Sequence, residues 1–418
     1  MKVNGIPNIR TCIAPLKKDV VVETQDKLAD LSNAKFIGEK VETVDVDVLV
    51  VGAGPAGLCA SIEATRQGAD VLLVDENSRV GGQLVKQTHK FFGSKNERAG
   101  TRGIQIARDL EGEVKSFEKQ GKISLMLEST LIGFYEGGVK GRYRFGVVKR
   151  VGYIGKLYEV NARSVVLCCG AMENMLLFPG NALPGVYGAG GVQTLMNVYG
   201  VKPGEKVVMI GAGNVGLIVY YQLLQAGVQV DRVVEAMPYI GGYNVHAAKL
   251  RRCGVKIFTS HSIKEVYGDG RVEGCITYKL DENWQPVKGS EEKISCDTVC
   301  LAVGLTPSTR ILSQIGVEME FIGEAGGIVA LHDKYMQTTI KNVFVAGDSS
   351  GIEEASTAMI EGKIAGVSAA LNLGYDKSDA KKLRKQFLVD LEKLRSGPFG
   401  EKPRKAKEKI EKILGDKQ

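Results

Sequence analysis

Two short glycine-rich runs carry the residue types and spacing best suited to chemistry in this 418-residue chain. The first, Gly52-Ala53-Gly54-Pro55-Ala56-Gly57, follows the largely apolar run from Val46 to Val51. A nucleotide pyrophosphate needs backbone N–H groups aimed at it from a helix N-terminus, and only glycine allows the tight turn and the close approach. A carboxylate about 20 residues further on serves the ribose hydroxyls of such a nucleotide, and Asp75 stands 23 residues beyond Gly52. The second run, Gly211-Ala212-Gly213-Asn214-Val215-Gly216, leads in the same way to Glu235. A glutamate there favours a free 2′-hydroxyl and repels a 2′-phosphate, and no arginine follows at once in Ala236-Met237-Pro238, which points to NAD rather than NADP. The alternatives for this second loop are an adenine nucleotide such as ATP or ADP, or a loop retained only for packing.

Each loop must be set between a buried strand and a helix. Residues 46–51 and 207–210 read as the strands, and the stretches reaching Gly68 and Ala226 as the helices. Second strands run from Val71 to Val74 and from Val230 to Val234. Two βαβ units follow, in an α/β chain with two Rossmann-like domains. Residues 123–168 alternate in β-rich runs broken by Gly137-Gly138 and by Gly152 to Gly155, which suggests an inserted antiparallel meander that returns to the sheet at Ser164 to Cys169. The turn-rich segment Phe178 to Gly185 marks a hinge, and after Ala302 to Pro307 the chain crosses back, so the first domain is discontinuous and the second inserted into it. The expected division is an N-terminal extension (1–45), the first domain in two parts (46–180 and 305–375), the second domain (181–304) and a helical, basic, amphipathic tail (376–418).

Bulk properties narrow the function classes. The net charge of +7 resides in residues 381–418, with thirteen Lys and Arg against six Asp and Glu, so no basic body exists to track nucleic acid. No apolar stretch approaches the roughly 20 residues of a membrane span. No N-terminal apolar run with a cleavage site suggests secretion. None of the eight cysteines forms a C-x-x-C pair, and most lie in apolar runs, as buried reduced thiols do, so no metal site is expected. A cytoplasmic protein is the expectation.

Further motifs extend the first loop. Gly81-Gly82-Gln83 comes shortly after Asp75, and Asn342 to Asp348 reads as a strand ending in Gly347-Asp348. Cys168-Cys169-Gly170-Ala171 and Ala302-Val303-Gly304 with Pro307 are glycine-containing strand ends. This set, spanning about residues 46 to 370, resembles the FAD- and NAD(P)-dependent pyridine-nucleotide oxidoreductases. The resemblance implies FAD on Gly52, Gly54, Pro55, Ala56, Gly57, Asp75, Glu76, Gly82, Gln83, Gly170, Gly347 and Asp348, with Asp348 on the ribityl chain. It implies NAD or an adenine nucleotide on Gly211, Gly213, Asn214, Val215, Gly216 and Glu235. Disulfide reductases of this superfamily carry a cysteine pair after the GG motif or at the start of the NAD domain. Neither stretch has one here: Gln83 to Lys90 and Gly188 to Gln193 contain no cysteine. The adjacent Cys168 and Cys169 would form a strained bridge.

The segment Gly170-Ala171-Met172-Glu173-Asn174, Phe178-Pro179-Gly180, Leu183 to Val186 and Gly190 to Leu195 is similar to the α subunits of multisubunit amine and amino-acid dehydrogenases: heterotetrameric sarcosine oxidase, dye-linked L-proline dehydrogenase, opine oxidase and hydrogen cyanide synthase. Pro7 to Thr11 also resembles a segment of longer members. The resemblance implies an FAD-dependent subunit that relays electrons between flavin and NAD(H) or another acceptor. Its expected partners are two: an FAD-containing amine- or amino-acid-dehydrogenase subunit, which oxidises the substrate, and a separate small iron–sulfur subunit, because this chain lacks cluster cysteines. An FMN between subunits occurs in some members. The competing readings are a self-sufficient NADH-dependent reductase of a quinone, dye or ferredoxin, and a non-redox nucleotide-binding subunit. No catalytic side chain is assigned. His89, in the polar run Lys86 to Lys90, is a candidate proton donor or flavin tuner, or a loop histidine. The tail's stripes, Leu383/Phe387/Leu391 and Ile410/Leu414, either dock on a partner or belong to solvated helices.

Overall fold

The computed structural model describes the chain except residues 6, 13–18, 28–40, 92–97, 138, 140, 152–153, 378, 398–399 and 417–418. The strand Glu42–Val51 lies between Val71–Val74 and the long strand Ile154–Leu167, all parallel, with Ile123–Met126 beyond Val71–Val74. Strand Val343–Val345 pairs in parallel with the end of Ile154–Leu167, and Tyr143–Val151 runs antiparallel to its beginning. Strand Ser129–Tyr135 completes this seven-stranded sheet. The meander is therefore present but starts later than the sequence suggests: Ile123–Met126 belongs to the parallel sheet, where Ile123 is buried in the helix-side core.

Side chains alternate across the pleat. Val48, Val50, Val71 and Leu73 face helices Pro55–Gln67, Gly103–Lys119 and Ala355–Asn372, whereas Leu49, Val51, Leu72 and Val74 face the antiparallel strands and the Leu312–Ala330 region. Helix Pro55–Gln67 begins with proline, which is preorganised for the first turn, and stops at Gly68 in the left-handed conformation. Its closest neighbour is Ala355–Asn372. A Cβ on Gly362 would lie 2.1 Å from the Ala56 carbonyl oxygen, and one on Gly366 would lie 2.2 Å from that of Ala60. Glycines four residues apart thus let the two backbones touch just behind the first loop.

The second domain repeats this plan. Its five-stranded sheet, in the order 186–188, 298–301, 206–210, 229–234, 256–258, is parallel throughout. Helices Ala189–Tyr199, Asn214–Gln225 and Asn244–Arg252 cover one face, and the antiparallel strands His261–Tyr267, Gly274–Lys279 and Glu292–Ser295 cover the other. The two crossings between domains, Ala171–Glu173 and Leu305–Pro307, pair with each other antiparallel.

The tail forms helices Ala380–Arg395 and Glu401–Asp416. Its apolar stripes do not await a partner. Leu391 is buried in the first domain's core with Phe387 and Leu394 against it, and Ala406 and Ile410 are buried with Val329 and Leu331. Among the described residues no helix is long and apolar enough to cross a membrane.

Candidate functional site

At the first loop the glycines divide by what constrains them. Gly52 has φ +97°, and a Cβ there would lie 2.2 Å from the Cys168 carbonyl oxygen; one on Gly57 would lie 1.7 Å from that of Gly52. The protein's own backbone requires both. Gly54 differs: its φ is −76°, available to any residue, and the nearest atom to a Cβ is 3.9 Å away. Nothing in the chain demands glycine at this helix N-cap, so the open side of Gly54 is fitted to a group approaching from outside.

Asp75 is buried, and its carboxylate ties the loop down: the Ala53 N–H donates to Oδ2 at 2.6 Å, and the Asn77 N–H donates to Oδ1 at 2.8 Å. Oδ1 also accepts the Asn77 side-chain amide at 2.9 Å, so it is Oδ2 that keeps a second lone pair for a ligand hydroxyl. The Gly81 N–H donates to the Ala53 carbonyl at 2.7 Å, and a Cβ on Gly82 would lie 2.8 Å from the Gly54 Cα, so the GG turn abuts the loop. Glu76 and Gln83 are exposed nearby.

The distant motif arrives at the same helix. A Cβ on Gly347 would lie 2.9 Å from the Ala56 Cβ, and the Ser349 hydroxyl donates to the Gly170 carbonyl at 3.2 Å. Asp348 sits in the turn Gly347–Ser350. Burial pushes its carboxyl up to about 6, opposed by the Glu353 N–H and reinforced by the charges of Glu361 and Glu353. The first site is thus assembled from four separated segments.

The second loop copies the first. The Gly211 N–H donates to the Val234 carbonyl at 2.7 Å, as that of Gly52 donates to Val74 at 2.8 Å. The Ala212 N–H donates to Glu235 Oε2 at 2.6 Å, and the Met237 N–H to Oε1 at 2.9 Å. Cβ atoms on Gly211 and Gly216 would strike the Ala302 and Gly211 carbonyls at 2.2 and 2.3 Å, whereas one on Gly213 would meet nothing within 4 Å. A feature missed from sequence completes the repeat: the Gly242 N–H donates to the Ala212 carbonyl at 2.8 Å, so Gly241-Gly242 is a second GG turn. Its signal was available, because Gly241-Gly242 trails Glu235 as Gly81-Gly82 trails Asp75. The Asn214 side chain accepts the Tyr243 N–H at 2.8 Å, and Val215 is exposed.

The Lys86 to His89 run lies between the domains. Lys86 Nζ donates to Thr194 Oγ1 at 2.9 Å, and Gln222 donates to Thr88 Oγ1 at 2.9 Å. Burial pushes the Lys86 ammonium below its usual range, with Glu173 pulling the other way. Glu173 itself accepts the Gly190 N–H at 2.6 Å, at the start of helix Ala189–Tyr199. His89 stacks on Phe91 and meets the edge of His246. Burial, then the nearby His246 and Lys249, push His89 down to about 4. It is neutral at neutral pH and has no imidazolium proton to give there. Cys168 is buried in the core and Cys169 reaches the surface, and desolvation pushes both thiols up. Among the described residues no group of three His, Cys, Asp or Glu could hold a metal ion.

Comparisons with known proteins agree with this geometry. The chain is 26% identical to the hydrogen cyanide synthase subunit HcnB of Pseudomonas protegens over 82% of its own length and 74% of the relative's. It is 29% identical to an opine oxidase subunit of Agrobacterium tumefaciens over 78% of its own length and 66% of the relative's. Among solved structures, L-proline dehydrogenase from P. horikoshii shares the fold with a TM-score of 0.61 and 24% identity, covering 85% of this chain and 61% of that one. Thioredoxin reductase from T. acidophilum does so with a TM-score of 0.64 and 22% identity, covering 79% and 99% respectively. The family model for pyridine nucleotide-disulphide oxidoreductases matches residues 46–362, a stretch that contains both loops, both GG turns and the Asp348 turn, and the chain belongs to that family.

Proposed function

We propose that this flavin- and pyridine-nucleotide-linked oxidoreductase holds FAD on the first loop and NAD(H) on the second, and works as one subunit of an amine or amino-acid dehydrogenase complex. The duplicated cradle carries the reading: two loops share one hydrogen-bond pattern, each with a middle glycine that the fold itself does not require. FAD, when bound, supplies hydride and single-electron transfer. The chain supplies positioning. Gly54 with Pro55, Ala56 and Gly57 presents the helix N-terminus to the pyrophosphate; Asp75 takes the adenosine ribose; and Gly82, Gly170 and Asp348 line the path toward the flavin ring, with Glu76 and Gln83 at the rim. Gly213, Asn214, Val215 and Glu235 do the same for NAD(H), and the Glu235 carboxylate disfavours a 2′-phosphate.

Desolvation disfavours the thiolate of both Cys168 and Cys169, which supports a relay without a dithiol. Relatives named as subunits of an opine oxidase and of hydrogen cyanide synthase support a partnered role, the partners being a small iron–sulfur protein and a subunit that oxidises the amine. The test is to purify the full chain alone and beside whatever co-purifies from its source. Bound FAD that NADH bleaches without oxygen, with an amine-oxidising partner recovered, is the expected result. Protein that takes up no FAD sinks the reading. Rapid NADH turnover by the chain alone on a quinone or dye, with no partner recovered, replaces it with a self-sufficient reductase.

A further inference from the structure

The basic tail carries the charge excess of the chain, and two of its cations are buried. Arg395 and Lys407 have side chains only 13% and 11% exposed. A buried cation is costly unless paired, so what they pair with is informative. Both reach Glu361, whose side chain is 2% exposed: Arg395 Nη2 lies 2.6 Å and Lys407 Nζ 2.9 Å from its Oε1. Burial alone would raise the Glu361 carboxyl; the two cations hold it below its ordinary value.

The other oxygen of Glu361 accepts the Gly347 N–H at 2.9 Å and the Ser350 hydroxyl at 2.7 Å. Those residues are the two ends of the turn that bears Asp348. Lys407 also donates directly to the Ser350 carbonyl at 3.0 Å and faces His332 Nε2 at 3.3 Å. His332 Nδ1 lies 2.8 Å from the Ala330 carbonyl, which assigns the ring proton to Nδ1 and leaves Nε2 to accept from Lys407. Arg395 grips Glu353 with Nε and Nη2 at 3.1 and 2.6 Å. The Glu353 N–H is the backbone group that favours the charged form of Asp348. The tail thus holds the chain on both sides of Asp348. Without it, Glu353 and Glu361 would be two unneutralised buried carboxylates beside a third.

We propose that helices Ala380–Arg395 and Glu401–Asp416 form a clamp on the flavin site, with Arg395 and Lys407 as positioning residues that hold the Asp348 turn in the geometry that receives the ribityl chain. The inference rests on the assignment of FAD to the first loop. The test uses deflavinated full-length protein, with FAD affinity read from quenching of flavin fluorescence and the environment of the ring from the visible spectrum. Lys407→Met and Arg395→Met weaken FAD binding at least tenfold, blur the fine structure of the flavin band and leave NADH binding unchanged. Lys407→Arg restores most of the loss. Lys405→Gln, on an exposed lysine paired with Glu401 of the same helix, has no effect.

Folded Lys407→Met and Arg395→Met proteins with FAD affinity within twofold of wild type overturn the clamp alone, as does an equal fall in FAD and NADH affinity. If the single variants do not fold, the charge-compensated Glu361→Gln/Lys407→Met protein takes their place, and wild-type FAD affinity there overturns the clamp. Wild-type protein that takes up no FAD removes the underlying assignment instead.

Discussion

The two nucleotide loops share their hydrogen bonds but differ in their surroundings. Ala56 in the first loop and Val215 in the second occupy the same place, one residue before the last glycine, yet Ala56 is 5% exposed and Val215 40%. Gly347 and Gly362 close over Ala56 from behind. Beside the second loop, the Tyr243 hydroxyl donates to Glu354 across the domain boundary. Local sequence builds the same loop in both places; long-range packing presses a helix backbone against the back of the first.

The sharpest way to break this comparison is to exchange the glycines. Gly57→Ala forces a Cβ onto the Gly52 carbonyl, so it costs about 3 kcal/mol or more of stability and lowers Tm on the order of 10 °C, with or without FAD. Gly54→Ala, where no atom stands in the way, leaves the apoprotein Tm within a degree or two while abolishing measurable FAD uptake. Equal thermal effects of the two would refute the division between fold-required and ligand-required glycine. Gly213→Ala carries the same expectation to the second loop: unchanged Tm and FAD content, with NADH binding lost.

Gly362→Ala presses on the Ala56 carbonyl and forces apart two helices whose backbones meet behind the first loop. We expect about 2 kcal/mol of destabilisation and weaker FAD retention on dialysis, with NADH affinity unchanged. A parallel fall in NADH affinity would show that the effect of this packing is not local to the first loop.

Asp348→Asn probes the first site by charge. The folded protein holds this carboxyl at about 6 against an ordinary 3.8. The folded state therefore binds the extra proton in that interval, and the contribution of Asp348 to stability is lost as pH rises through it. The difference in apoprotein Tm, variant minus wild type, should grow from pH 4 to pH 6 and then level off, while FAD affinity falls about tenfold to a hundredfold for one lost charged hydrogen bond. A difference that stays flat with pH would contradict the assignment of a raised carboxyl.

The smallest effect is expected at the second loop. Glu235→Gln keeps a side-chain acceptor for the Ala212 N–H and should weaken NADH by about tenfold and narrow its preference over NADPH. FAD content should not change, and a calorimetric titration with both nucleotides checks this.

Much of this was legible because the features are local. Gly52 to Gly57, Asp75, Gly211 to Gly216 and Glu235 lie within single βαβ units, where strand, turn and helix dictate which residue types fit. The start of the antiparallel strands was misplaced because Ile123–Met126, a short β-rich run, reads the same whether its partner is parallel or antiparallel; only its pairing with Val71–Val74 decides. The tail was misjudged for a similar reason. A basic amphipathic helix signals an apolar face and says nothing of what covers it.

By itself, then, the sequence determined that the chain contains two glycine-rich loops and which carboxylate is tied to each. The tertiary structure alone decided that Gly347 and Gly362 pack behind the first loop, and that Arg395 and Lys407, far along the chain, neutralise Glu361 beneath the Asp348 turn. The physical reason is the range of the forces involved. Turn geometry and helix capping act over a few residues and leave a spacing in the sequence, whereas burial of a carboxylate creates a demand for charge that any cation brought near by folding can meet.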